Sequence, residues 1–165
     1  MSFMKLMTNF ARKRIAMIDI SDEKQRLDLY YKIRGAAITV QRNLGSHLIE
    51  KFYEKALIFE LKSMGLSVGS QVPIPTFYKN EPLDLELVAD LVVENEIIIE
   101  LKATPRIEKS HERQLLTYMK LMRRHYGLLI NFGVTFMSRD GMKAYILSDF
   151  DDIVNSNINF EDSLD

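Results

Sequence analysis

The chain has 165 residues, 47% of them hydrophobic, and a net charge of −1. That is apolar material enough for one domain with a real core and too much for a disordered chain. The absence of cysteine excludes disulfide frameworks, thiolate zinc sites and cysteine nucleophiles, while the near-zero charge argues against coating nucleic acid through bulk positive charge.

Residues 1–21 read as a basic and apolar extension: Lys5, Arg12, Lys13 and Arg14 stand there without acids beside them. It has no continuous apolar segment followed by a small-residue cleavage site, and no run in the chain is long enough to span a bilayer, so a cytoplasmic protein is expected. Ser21 suits the N-cap of a helix over about 23–43. Leu27, Tyr30, Tyr31, Ala37 and Ile38 supply its apolar stripe, widened by Ile33 and Val40. Gly45-Ser46 breaks it, and a second helix should run over about 47–64 and stop at Gly65. On that helix Leu48, Phe52, Ala56 and Phe59 are expected to face the core, with Lys51, Lys55 and Lys62 in solvent. Glu50 lies on neither stripe. It aligns with Leu57 and Leu61 at spacings of seven and eleven residues, a carboxylate at an apolar edge, for which a snorkelling rim glutamate is the ordinary explanation.

Residues 66–78 look extended, with Pro73 and Pro75 favouring an edge or irregular strand, and 79–82 make a turn. A hairpin follows. Its arms are 85–93 and 97–102, joined by the polar tip Glu94-Asn95-Glu96. Alternation puts Ile98, Glu100 and Lys102 on one face and Ile97, Ile99 and Leu101 on the other. Asp90 and Glu100 are nearly equidistant from the tip, so Asp90 belongs at the same open end as Glu100 and Lys102. Charges at the end of so apolar a strand need each other, a metal or a substrate. An ion pair is one sufficient reading. Two carboxylates also suit a hard cation such as Mg²⁺ or Mn²⁺, with Lys102 orienting a nucleophile or stabilising developing charge and Glu50 adding a further contact.

After Thr104-Pro105 a third helix is expected over about 108–124. Steps of 100° place Leu115, Met119 and Met122 on the core side, then a line of Gln114, Tyr118, Leu121 and His125, then a basic ridge of Arg113, Lys120 and Arg124 with Thr117. The ridge is either a solvated face or a contact for nucleic acid. Residues 126–133 read as a buried strand, 135–137 and 142–147 as a last hairpin, and 149–165 as an acidic tail. The order predicts one α/β domain over 22–148, a central mixed sheet flanked by helices. His47, His111 and His125 are too scattered for a zinc site, and there is neither a nucleophile elbow nor a glycine-rich phosphate loop.

Six segments taken together carry a family likeness: KIRGAAITVQRNLG, LIEKFYEKAL, VPIPTFYKN, ADLVVENEIIIELKA, HERQLLTYMKL and GLLINFG. In this order, over about residues 32–133, the chain resembles the GxxExxY family of the PD-(D/E)XK nuclease superfamily, close to its RecB-like branch. The resemblance implies a PD-(D/E)XK core with a metal site at the hairpin. Asp90 and Glu100 would be metal ligands, Glu50 the helical acid, Lys102 the catalytic lysine, and Gln114 and Tyr118 the glutamine-x-x-x-tyrosine pair lining the site. The implied activity is Mg²⁺- or Mn²⁺-dependent phosphodiester hydrolysis of nucleic acid, DNA before RNA. Departures are His47 for the name-giving glycine, Val88 where an arginine is frequent, and Gln41 and Asn43 where histidine and glutamate are common. They leave open a nuclease-fold module that binds nucleic acid or protein without efficient catalysis, or an oligomer, such as a homodimer, using the polar hairpin end as a contact.

Overall fold

The computed structural model describes residues 20–148 and Phe150, with side chains from Glu23 onward. The N-terminal extension and acidic tail expected from the sequence fall outside the described residues apart from Ile20, Ser21 and Phe150. Two helices lead, α1 (Ile20–Leu44) and α2 (Glu50–Ser63). They are followed by β1 (Val68–Ile74), the short ribbon β2 (Phe77–Tyr78) and β3 (Glu81–Pro82), β4 (Leu87–Val93), β5 (Ile97–Lys102), α3 (Lys109–Leu121), β6 (Tyr126–Asn131), α4 (Met137–Asp140) and β7 (Met142–Ile146). The five-stranded sheet has the order β1-β4-β5-β6-β7. Among the described strands only β5 and β6 pair in parallel, joined by the crossover through α3 that a parallel connection requires.

The sheet is buried on both faces. Leu91, Val93, Ile97, Ile99 and Leu101 pack with α1 and α2 in one cluster, whereas Val92, Ile98 and Leu129 pack with Leu115, Tyr118 and Met119 of α3 in another. Strand alternation in β5 therefore divides the molecule as the sequence predicts. β1 is an edge strand, and Pro73 within it is tolerated there because an edge leaves N–H positions that need not pair, with Pro75 just past its end. Lys79 and Asn80, both in left-handed conformation (φ 48° and 68°), turn β2 into β3.

Four expectations are corrected. α1 already runs through Ser21, which is thus inside the helix rather than its cap. Its buried line is Leu29, Ile33, Ala36, Ala37 and Val40, with Tyr31 exposed. On α2 the side facing the sheet is Tyr53, Leu57 and Leu61, whereas Leu48, Phe52 and Phe59 are exposed at 37%, 54% and 72%. That helix carries two apolar stripes, and periodicity alone does not say which one meets the sheet. Residues 135–137 form no strand: β6 pairs directly with β7, and α4 lies between them. The turn is drawn into a helix by α1, where Gln41 Nε2 donates to the Val134 carbonyl (2.7 Å), Gln41 Oε1 accepts from Met137 N–H (2.8 Å), and Arg34 donates to the Ser138 carbonyl (2.9 Å).

The start of α2 is fixed by Tyr53. Its ring is fully buried and stacks on Phe132 at 4.5 Å, its hydroxyl donates to the Gly45 carbonyl at 2.6 Å and accepts from the Leu48 N–H at 3.1 Å. Tyr53→Phe is expected to cost about 1–3 kcal/mol, because two backbone groups in the α1–α2 turn lose their partner. Urea unfolding measures it, and an unchanged midpoint would show that water replaces the hydroxyl.

Candidate active site at the open end of the central hairpin

In β4 and β5, Leu91 pairs with Ile99 and Val93 with Ile97. Continuing that register by one step sets Asp90 opposite Glu100. Each side chain is tied to the backbone of the opposite strand, since Asp90 Oδ2 accepts from the Leu101 N–H at 2.8 Å and Glu100 Oε1 lies 3.4 Å from the Asp90 nitrogen. Glu100 is only 1% exposed. Its burial, reinforced by the Asp90 charge and only partly offset by Lys102, pushes its carboxyl up to about 8.

Lys102, two residues along the same face, stands 3.8 Å from Glu100 Oε2 with its side chain 14% exposed. Helix α3 supplies the clamp between them. Gln114 Oε1 accepts from Lys102 Nζ at 3.3 Å, while Gln114 Nε2 donates to Glu100 Oε2 and to the Tyr118 hydroxyl, each at 3.1 Å. The i, i+4 spacing of Gln114 and Tyr118 makes this bond geometrically natural. Burial, with Glu100 and Asp90 adding to it, raises the Tyr118 phenol, so it stays neutral near pH 7. Below β5, Asn131 holds the strand end: its side chain accepts from the Thr104 N–H at 3.0 Å and donates to the Thr104 carbonyl at 2.9 Å. Gly133 makes that approach possible, because a Cβ there would stand 2.2 Å from the Thr104 oxygen.

Glu50 is the first residue of α2, partly buried. Desolvation raises its carboxyl, Lys102 opposes the shift, and Asp90 and Glu54 add to it. The field of the hairpin therefore reaches it. Among the described residues, no three His, Cys, Asp or Glu side chains form a ready-made metal cluster. The donor set nonetheless fits a hard cation: Asp90 and Glu100 offer only oxygens, and the buried carboxylate is undercompensated by a single lysine.

The basic ridge is shorter than the sequence predicts. Arg113 is exposed and Lys120 partly exposed on α3, but the helix ends at Leu121 and Arg123 turns left-handed (φ 51°). Arg124 consequently leaves the ridge and donates to Asn95 Oδ1 at 2.7 Å and to the Met122 carbonyl at 3.0 Å, bracing the hairpin tip. His125 leaves the Gln/Tyr line for the same reason and contacts the Leu147 carbonyl at 2.7 Å.

The structure also brings in Glu54 and Gln71, which the sequence reading passed over. Glu54 is 4% exposed and bonded to Lys51, Ser70 and Gln71, and Gln71 reaches Asp90. Glu54 follows Glu50 by one helical turn, a signal present in the sequence. Gln71 meets Asp90 only through the register of β1 on β4, which no local pattern encodes.

The family model of the PD-(D/E)XK nuclease superfamily matches residues 27–144. The chain belongs to the PD-(D/E)XK nuclease superfamily. The match runs from within α1 to within β7 and takes in the whole of α2, β1, β4, β5, α3 and β6, with the α/β architecture, a mixed central sheet flanked by helices, that the sequence predicts. A solved structure similar to this superfamily member is the crystal structure of SSO0001, at 18% identity and a TM-score of 0.45 over 86% of this chain and 74% of that one. No curated protein matches. No helix among the described residues is long and apolar enough to cross a membrane.

Proposed function

We propose that this superfamily member is a divalent-metal-dependent nuclease of the RecB-like, GxxExxY type, hydrolysing phosphodiester bonds, with DNA as the first substrate to test. One observation carries the reading: the Gln114 amide joins Lys102, Glu100 and Tyr118 in one network beside Asp90. A structural ion pair needs neither the second carboxylate nor the amide.

Asp90 and Glu100 would hold Mg²⁺ or Mn²⁺, with Glu50 contributing directly or through water. A hard cation there supplies charge against the phosphoryl group and eases deprotonation of the attacking water. The remaining work belongs to the chain. Gln114 fixes the Glu100 carboxylate through Oε2 and leaves Oε1 turned toward Asp90. It also aims the Lys102 ammonium, which orients the nucleophile and opposes the negative charge that grows on the phosphoryl oxygens. Tyr118 locks the amide so that its oxygen faces Lys102 and its nitrogen faces Glu100. Arg113 and Lys120, on the outer side of α3, are placed to meet phosphates of the flanking strand, whereas Arg124 would act indirectly by bracing the tip. The catalytic domain would comprise residues 22–148.

Purified protein is expected to cut single- or double-stranded DNA with Mg²⁺ or Mn²⁺ and to stop when the metal is chelated. Cleavage unaffected by chelator, or Mn²⁺ uptake undetectable by calorimetry alongside metal-indifferent DNA binding, counts against the proposal.

A further inference from the structure

The register of β1 on β4 pairs Ser70 with Leu91 and Val72 with Ala89, which leaves Gln71 directly across from Asp90. At this one position of β1 the backbone turns left-handed, with φ 51°. Glutamine rarely adopts that conformation, and a residue held there against its preference is a candidate for a functional constraint. Burial does not demand it, for Ser70 and Gln71 are both exposed.

What the conformation achieves is visible in the side chain. Gln71 Nε2 has two hydrogens and two carboxylate neighbours: Glu54 Oε2 at 3.1 Å and Asp90 Oδ1 at 3.4 Å. Glu54 is a firm post. It is 4% exposed, Lys51 Nζ lies 3.0 Å from both of its oxygens, and Ser70 Oγ donates to it at 3.1 Å. Asp90 Oδ2 is already held by the Leu101 N–H at 2.8 Å. With Gln71 on Oδ1, both oxygens of Asp90 are fixed, and so is the plane of the carboxylate.

We propose that Gln71, anchored on Glu54, is a positioning residue that orients the Asp90 carboxylate for metal binding. The inference deepens the nuclease reading and rests on it. Groups that hold a metal-ligating side chain commonly change metal affinity by about 10–100-fold when removed. Because the left-handed backbone is unfavourable for glutamine, a strained residue retained for function predicts opposite signs for stability and affinity.

Gln71→Gly and Gln71→Asn test this directly, since both residues tolerate the left-handed conformation and neither spans from Glu54 to Asp90. Each variant is expected to melt at or above the wild-type temperature while binding Mn²⁺ about tenfold more weakly by calorimetry. In the Glu54→Gln/Gln71→Gly double variant the affinity losses should fall short of their sum, because both changes cut one chain of contacts. Wild-type affinity in Gln71→Gly, or lower melting with unchanged affinity, overturns the positioning role and leaves the nuclease reading standing. Wild-type protein that takes up no Mn²⁺ overturns the nuclease reading itself, and the positioning role with it.

Discussion

Lys102→Ala is expected to lower DNA cleavage by about 10²–10³-fold, the range seen when one preorganised group that stabilises transition-state charge is removed. The loss should appear in kcat. Lys102 touches Glu100 and Gln114, so its removal frees space but leaves the Asp90 and Glu100 oxygens in place. Mn²⁺ affinity should therefore persist, and it should rise if the departing ammonium had been competing for Glu100. Weakened Mn²⁺ binding, with cleavage restored by raising the metal concentration, would instead assign Lys102 to holding the site together. Full activity in Lys102→Ala sinks the catalytic assignment.

The pH dependence of stability carries the second large effect. Glu100 has an ordinary value of 4.5 and is raised in the folded protein to about 8. Between those values the folded state holds a proton that the unfolded chain has released, so the folded state is favoured at low pH and loses that advantage as pH rises through about 8. At one pKa unit per roughly 1.4 kcal/mol, the contribution is on the order of a few kcal/mol. Glu100→Gln keeps the neutral shape at every pH. Melting in chelator from pH 5 to 9 should show wild type falling relative to Glu100→Gln, with the gap closing when Mg²⁺ or Mn²⁺ is added, since a cation favours the ionised carboxylate. A pH-independent difference between the two proteins would remove the argument that Glu100 is an undercompensated buried acid.

Much of the site is legible in the sequence because its core is local. Period-two alternation puts Glu100 and Lys102 on one face of β5, and the helical i, i+4 relation puts Gln114 and Tyr118 on one line of α3; both relations hold in the fold. Asp90 follows from symmetry about the hairpin tip. The misread parts depend on distant partners. Phe52 and Phe59 are as hydrophobic as Tyr53 and Leu57, so composition could not choose between the two stripes of α2. Residues 135–137 became the approach to a helix because Gln41, from nearly a hundred residues earlier, captures the Val134 carbonyl and the Met137 N–H. Arg124 looked like the end of a basic ridge until a left-handed Arg123 turned it toward Asn95. Gln71 required a strand register, and its isolated amide has no period to reveal it.

The order of strands has a consequence for how the site fails. β5, with Glu100 and Lys102, is paired on both sides and covered on both faces, whereas β1, with Gln71, is a rim strand paired, among the described residues, only to β4. Rim strands detach in low-energy partial openings, while doubly flanked strands open only with the whole domain. Fraying of β1 would release the Asp90 carboxylate from Gln71 while Glu100, Lys102 and Gln114 stayed assembled. Loss of function under mild denaturant would then precede unfolding, as a loss of grip on the cation in a protein that is otherwise still folded.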